Sequence, residues 1–332
     1  KGDMKQPLVW KQALLAPFFV LAVSSSAFAG TYTVTPIDVP GSTFTNAFGI
    51  NDAGQVVGGY GDATGGHGFL RDSGGVFTFV NVPGATDTAA YGINDAGQIV
   101  GLFSDATGTY GFLRDSGGVF TTLEFPGATA TEALGINDAG QIVGLFSDAT
   151  GGVHGFLDTG GVFTFVDVPG ATATAAYGIN NAGQIVGGFG DATGVHGFLD
   201  TGGVFTLVNV PGATYTAAYG INNAGQIVGD ATGTGQQGFL DSGGVFTLVN
   251  VPGATATDAN GINDAGQLVG AFRDATGVHG FLATPCSTRE PSCVPLSTSP
   301  VPEPATWLLL GSGLAGLAAW RARRQGGQGD CL

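Results

Sequence analysis

Residues 91–134 read YGINDAGQIVGLFSDATGTYGFLRDSGGVFTTLEFPGATATEAL, and variants of this stretch fill most of the 332-residue chain. Gly-Ile-Asn begins at Gly49, Gly92, Gly135, Gly178, Gly220 and Gly261, so successive copies start 43, 43, 43, 42 and 41 residues apart. Gly-Phe-Leu keeps nearly the same beat, with its ring at Phe69, Phe112, Phe156, Phe198, Phe239 and Phe281. A fixed period in this range marks a propeller or an array, and it takes precedence over the reading of any local segment.

Each repeat holds four strand-like pieces. In the first complete copy they fall at about 46–51, 55–60, 67–71 and 76–82, each rich in Val, Ile, Phe or Thr. Between them stand Asn51-Asp52-Ala53-Gly54, Asp62-Ala63-Thr64-Gly65, Asp72-Ser73-Gly74-Gly75 and Pro83-Gly84-Ala85-Thr86. In such turns Asp or Asn bonds back to the chain, Gly supplies positive φ and Pro pre-sets the corner. Four strands in about 42 residues is the size of one propeller blade. The last repeat, 261–283, stops before the GGVFT strand, which occurs five times, from Gly74, Gly117, Gly160, Gly202 and Gly243. Its missing partner stands at the other end: 31–43, TYTVTPIDVPGST, overlays 74–86, GGVFTFVNVPGAT, with Pro40-Gly41 over Pro83-Gly84. The expectation is an all-β six-bladed β-propeller of ~42-residue four-stranded repeats over 30–285, closed by the N-terminal strand. An open solenoid would instead need capping units. Pro36 fits an edge position, where a missing N–H costs little. Phe77, Phe79, Phe120, Phe163, Phe205 and Phe246 are expected to fill space between blades.

The two ends differ from the body. Met4 is the only methionine, which leaves Lys1–Asp3 ahead of a natural start. Lys5, Lys11, an apolar run from Ala13 to Val23 and the small residues around Ala27 and Ala29 form a secretory signal over 1–29, cleaved before Gly30 and delivered to the Sec export machinery. After Pro285 a Cys/Pro/Ser linker covers 286–300, and an exported protein permits a Cys286–Cys293 disulfide there. Next come Val301-Pro302-Glu303-Pro304, an apolar segment read as a transmembrane helix over 305–320, and Arg321, Arg323 and Arg324. Trp at both ends of the apolar run and positive charge after it indicate a membrane segment with a cytoplasmic C-terminus. A tail, 325–332, carries Cys331.

Pro302, Glu303 and Pro304, followed by the apolar segment and the arginines, resemble a PEP-CTERM sorting signal, the tag recognised by exosortase in exopolysaccharide-producing Gram-negative bacteria. The resemblance covers 301–324, and the extension 325–332 departs from the usual end of such tails. It implies a transient inner-membrane intermediate, then a cell-surface or extracellular protein. The repeat itself, GINDAGQIVG followed by HGFL, resembles the HAF extracellular repeat, named for a His-Ala-Phe position that here is His67-Gly68-Phe69. That likeness spans 47–282 and implies secretion and repetition without an established chemistry.

Between residues 30 and 285 there are three Arg, no Lys and twenty-one Asp plus Glu, a net charge of −18. A body this acidic does not attract nucleic acid or an anionic membrane surface. His67, His154, His196 and His279 share one repeat position, occupied elsewhere by Tyr110 and Gln237, which favours hydrogen bonding or packing at a strand start over a metal. Asp62, Asp105, Asp148, Asp191, Asp230 and Asp274 open six Asp-Ala-Thr-Gly segments whose oxygens leave calcium as an alternative to plain turn chemistry. The spacing lacks the dense acidic pattern of a calcium loop, so no cofactor is expected. Glu124 and Glu132 flank one Pro-Gly corner, and a glycosidase pair needs a separation that sequence does not supply. No G-x-S-x-G, C-x-x-C or phosphate-cradling loop occurs, and near-identical repeats supply no single asymmetric set of catalytic groups. The sequence therefore points to a non-catalytic surface or matrix protein that binds exopolysaccharide, with a secreted polysaccharide hydrolase or lyase and a purely structural spacer as alternatives.

Overall fold

A computed structural model describes residues 31–233, 235–286 and 293–295. The expected secretory signal with Ala27, Ala29 and Gly30, the sorting motif with Pro302, Glu303 and Pro304, the membrane segment and Arg321, Arg323 and Arg324 lie outside the described residues. Within them every regular element is a strand.

Each repeat folds into an antiparallel meander. The third runs Ala130–Ile136, Gln141–Ser147, Val153–Thr159 and Val162–Phe165, from inner to outer strand. Neighbouring meanders touch through single parallel bridges, such as Ala130 with Thr109 and Val195 with Tyr215. The last repeat contributes Ala256–Ile262, Leu268–Arg273 and Val278–Pro285. Its fourth strand is the N-terminal Thr31–Ile37, antiparallel to Val278–Pro285 from Tyr32 opposite Pro285 to Ile37 opposite Gly280. Among the described residues Pro36 is paired on one side alone, while Thr31 and Tyr32 also meet Pro295 and Val294 on the other. Cys286 and Cys293 are disulfide-bonded with Cα atoms 6.1 Å apart, just beyond this strand pair.

Packing explains the sequence markers. In Gly-Ile-Asn, the glycine permits close approach between inner strands: a Cβ on Gly135 would stand 2.8 Å from the Tyr177 carbonyl oxygen and 3.1 Å from the Gly178 Cα. The asparagine is a buried connector. Asn137 Nδ2 donates to Gln141 Oε1 at 2.9 Å within its own repeat and to the Asn180 carbonyl of the next at 3.1 Å, while its Oδ1 accepts from the Gln141 N–H. The same inter-repeat bond runs from Asn51 to Asn94, Asn94 to Asn137, Asn180 to Asn222 and Asn222 to Asn263, and Asn263 donates to Asn51. Asn137→Ala strips Gln141 Oε1 and the Gln141 N–H of their partner and leaves the Asn180 carbonyl with the Gly183 N–H alone, so it is expected to cost about 1–2 kcal/mol, read as a lowered urea midpoint at unchanged slope.

The core of each repeat is the Gly-Phe-Leu ring. Phe69, Phe112, Phe156, Phe198, Phe239 and Phe281 are the largest fully buried side chains, and each faces a glycine across the sheet, as Phe156 faces Gly144. Phe77, Phe120, Phe163, Phe205 and Phe246 pack edge-on against the first five of these rings at 5.4–5.7 Å. Phe79 departs from the expected filling role, being 58% exposed on an outermost strand. That strand has a neighbour on one side only, so a ring there keeps one face in water.

Candidate functional site

Two places gather chemistry: the outer rim of the repeats and the space between their inner strands.

At the rim, the second and third strands of a repeat are joined by the Asp-Ala-Thr-Gly turn. In the first repeat Asp62 Oδ1 accepts from the Thr64 N–H at 2.7 Å and from the Thr64 hydroxyl at 2.6 Å. With its one hydrogen directed at Asp62, that hydroxyl is left to accept from His67 Nε2 at 2.8 Å. The expected His and Asp positions, read separately in the sequence, thus form one cluster. Thr193 with His196 and Thr276 with His279 repeat the arrangement, and Tyr110 hydroxyl meets Thr107 at 3.1 Å in the second repeat. His154 has a carboxylate at each ring nitrogen, Asp167 2.8 Å from Nδ1 and Asp148 3.4 Å from Nε2, as His279 has Asp38 at 2.9 Å and Asp274 at 3.5 Å, and the Asp167 hydrogen bond leads in raising the His154 pKa. Thr hydroxyl bonds hold Asp62, Asp105, Asp191 and Asp274 below the usual carboxylate range and bring Asp148 to about 2. These carboxylates are committed to their turns, and among the described residues no group of three or more His, Cys, Asp or Glu is arranged to hold a metal ion.

An aromatic ring backs the clusters. Tyr60 lies 5.2 Å from His67 and 5.7 Å from Phe79, and Phe146 lies 5.2 Å from His154 and 5.4 Å from Phe165. Phe79 and Phe165 are 58% and 61% exposed. The first and third repeats therefore present a wet aromatic face beside an Asp–Thr–His or Asp–His cluster, a combination suited to stacking on a sugar ring while hydrogen-bonding its hydroxyls.

The fifth repeat breaks the pattern. Asp230, expected in a turn like the other five, lies inside the strand Gln226–Thr232, opposite Ala217 and Gly238. The sequence explains the shift: Val186-Gly187 is separated from Asp191 by Gly-Phe-Gly, whereas Val228-Gly229 runs straight into Asp230. The turn consequently begins after Thr232, and Asp230 points where the other repeats have Gly59, Leu102, Leu145, Gly188 or Ala271.

That position faces a pocket of about 440 Å³ lined by the inner strands. Asp230 is joined there by Glu132 and Asp258, at a register position held elsewhere by Asn46, Ala89, Ala175 and Ala217. Gln236 Nε2 donates to Asp258 Oδ1 at 2.5 Å and reaches Asp230 Oδ2 at 3.5 Å. Tyr91, Tyr177 and Tyr219 complete the wall, with the Tyr219 hydroxyl 3.2 Å from that of Tyr215. Burial raises the pKa of Asp230 to about 6 and also raises those of Asp258 and Glu132. Burial pushes the Tyr91 and Tyr177 phenols up to about 12, and the Tyr219 phenol higher still. The two glutamates considered as a catalytic pair occupy different layers: Glu132 faces this pocket on an inner strand, and Glu124 is exposed in the connection after the outermost strand Phe120–Leu123.

Comparison with known proteins places one segment and the fold. Residues 300–324 match the PEP-CTERM protein-sorting motif, which indicates export and membrane-anchored sorting in bacteria with exosortase as the processing partner. No curated protein matches the chain in sequence. Among solved structures, a triple arginine-to-alanine mutant of AofleA from Arthrobotrys oligospora is 12% identical, with 80% of this chain and 90% of that chain covered and a TM-score of 0.53. The lectin AAL from Aleuria aurantia, in complex with Fucα1-6GlcNAc, is 12% identical over 80% of this chain and 100% of that one, TM-score 0.49. A catalytically inactive virginiamycin B lyase from Staphylococcus aureus with quinupristin is 13% identical over 76% and 99%, TM-score 0.44. The first of these likenesses bears on the fold alone, which is all-β and propeller-like.

Proposed function

We propose that this is a non-catalytic protein of the bacterial cell surface or extracellular matrix, a closed six-bladed propeller of HAF-type repeats whose rim binds exopolysaccharide. Closure is supported by the antiparallel register between Thr31–Ile37 and Val278–Pro285 and by the Asn263-to-Asn51 hydrogen bond. The sorting motif supports export. The route we infer is Sec export with cleavage before Gly30, passage through the inner membrane of a Gram-negative cell, and exosortase cleavage near Pro302–Pro304.

The observation that carries the binding reading is the exposed phenylalanine near a polar cluster, present at Phe79, which Tyr60 links to His67, and again at Phe165 against His154. Two like sites on one rigid body engage a polymer together, and the second contact is then intramolecular, which multiplies modest single-site affinity by roughly 10²–10⁴. Retention of the exported protein on exopolysaccharide beads is the test. Phe79→Ala and Phe165→Ala are each expected to weaken retention severalfold and the double variant to abolish it, at unchanged unfolding midpoint. Equal retention of the double variant would remove the rim from the reading, and absence of retention on every polymer in a panel would leave the spacer role. Reducing ends released from the same polymers by the wild-type protein would overturn the non-catalytic assignment.

A further inference from the structure

We propose that the pocket between the inner strands binds an amino sugar, holding its protonated amine between Asp230 and Asp258. This goes beyond the rim reading and does not depend on it.

The pocket is singular in a chain built from near-copies. Turn chemistry accounts for most of the acids, yet Asp230, Asp258 and Glu132 stand in strands at register positions where the other repeats carry Gly, Ala or Leu and, in the first, the uncharged Asn46. Asp230 is only 5% exposed, and its Oδ1 has no donor at hydrogen-bond geometry, the Tyr219 hydroxyl acting on the carboxyl only far enough to offset part of the effect of burial. A desolvated carboxylate oxygen without a donor is costly to keep. Gln236 engages the other oxygen at 3.5 Å and Asp258 more closely, holding the two carboxylates side by side. No Lys, Arg or His is among the described residues that line the pocket. The nearest cationic influence is on Asp258, from Arg273 on the neighbouring strand. The unmet requirement is therefore for a positively charged donor.

Size and lining choose among cations. A metal ion needs several oxygens converging at about 2.0–2.6 Å, and the pocket acids are not so grouped among the described residues. A volume of about 440 Å³ instead lies within the roughly 300–1,000 Å³ of small-molecule sites. An ammonium supplies three donors at one point, enough for Asp230 Oδ1 and the Asp258 carboxylate together. The rest of the wall offers neutral hydrogen-bonding groups, Asn46, Asn260 and the Tyr91 and Tyr177 hydroxyls, around aromatic faces. Such a wall suits a hydroxylated ring better than the bare methylene chain of a polyamine, and the tyrosine faces also attract the cation.

Calorimetric titration of the exported protein at pH 7 tests the assignment, with the β-1,4-linked glucosamine disaccharide as probe and its N-acetylated counterpart and spermidine as comparators. The free amine is expected to bind at least tenfold more tightly than the acetylated disaccharide and more tightly than spermidine. Asp230→Asn and Asp258→Asn should each lower affinity tenfold or more, and Asp230→Asn removes a buried charge, so it retains the fold. Equal binding of the acetylated sugar, tighter binding of spermidine, no binding of the glucosamine disaccharide, or affinity unchanged in both variants would overturn the proposal. Retention on exopolysaccharide beads, governed by Phe79 and Phe165, reads the rim separately.

Discussion

Gly144→Ala is expected to destabilise the protein by more than about 3 kcal/mol, a larger loss than any surface substitution should give. An added Cβ would lie 1.9 Å from the Glu132 carbonyl oxygen and 2.8 Å from the Phe156 ring. The first obstacle is backbone in a paired strand, and the second is a ring with no exposed surface, 0%. Neither can retreat without opening the sheet. Gly101 and Gly187 meet equivalent obstacles at 2.0 and 2.1 Å from Ala89 and Ala175 carbonyl oxygens. Gly235, where an added Cβ would meet nothing within 4 Å, supplies the control, and Gly235→Ala should shift stability by less than about 0.5 kcal/mol. Urea unfolding of the three proteins measures the difference. If the obstacle were the ring alone, Phe156→Leu would rescue Gly144→Ala; because the carbonyl stands closer, rescue is expected to fail. A midpoint for Gly144→Ala near that of Gly235→Ala would show that the strands separate more readily than their register implies.

The repeat period announced how the chain is organised because strand and turn chemistry are local. Asn51-Asp52-Ala53-Gly54 forms its turn from neighbours in sequence, with Gly54 N–H bonded to the Asn51 carbonyl and φ of +74° at Gly54. The pairing of 31–37 with 278–285 was legible for a related reason: a repeat missing its last strand and an isolated copy of that strand are complementary. What the asparagine of Gly-Ile-Asn does was not legible, since its second acceptor lies a whole repeat away, at a backbone carbonyl that no residue type reveals. The rim clusters were half legible. In the sequence His67 and Asp62 belong to separate motifs, and only the hairpin brings Thr64 between them. The pocket is hidden in the sequence because Asp230 opens the same Asp-Ala-Thr-Gly string as five turn residues, and the string alone does not show that this copy lies in a strand. The signal was nonetheless there: Gly220 to Gly261 is the shortest interval, 41 residues, and the residues lost lie directly before Asp230. Counting from the strand rather than from the motif would have moved that aspartate out of the turn.

The same aspartate should make stability fall as pH rises. Burial holds the Asp230 carboxyl at about 6 in the folded protein, against roughly 3.9 for an unfolded aspartate. Below pH ~4 both states carry the proton and the site has no effect on folding. Between about 4 and 6 the unfolded chain releases its proton first, the native state binds more protons, and unfolding free energy declines with pH. Above about 6 the loss is complete, at roughly 3 kcal/mol by the linkage of 1.36 kcal/mol per pH unit. Asp258 and Glu132, whose pKa values burial also raises, act in the same direction. The rim aspartates act oppositely, because carboxyls held below the ordinary range contribute stability that is lost only as pH drops through their lowered pKa values. Asp230→Asn removes the buried charge and retains the shape. Its unfolding free energy should therefore exceed that of the wild type by about 2–3 kcal/mol at pH 8 and match it at pH 3.5. Urea titrations at the two pH values measure the contrast. A constant difference between the proteins across that range would mean that Asp230 does not titrate as a buried acid, and a wild type more stable than the variant at pH 8 would mean that its charge is already matched within the fold.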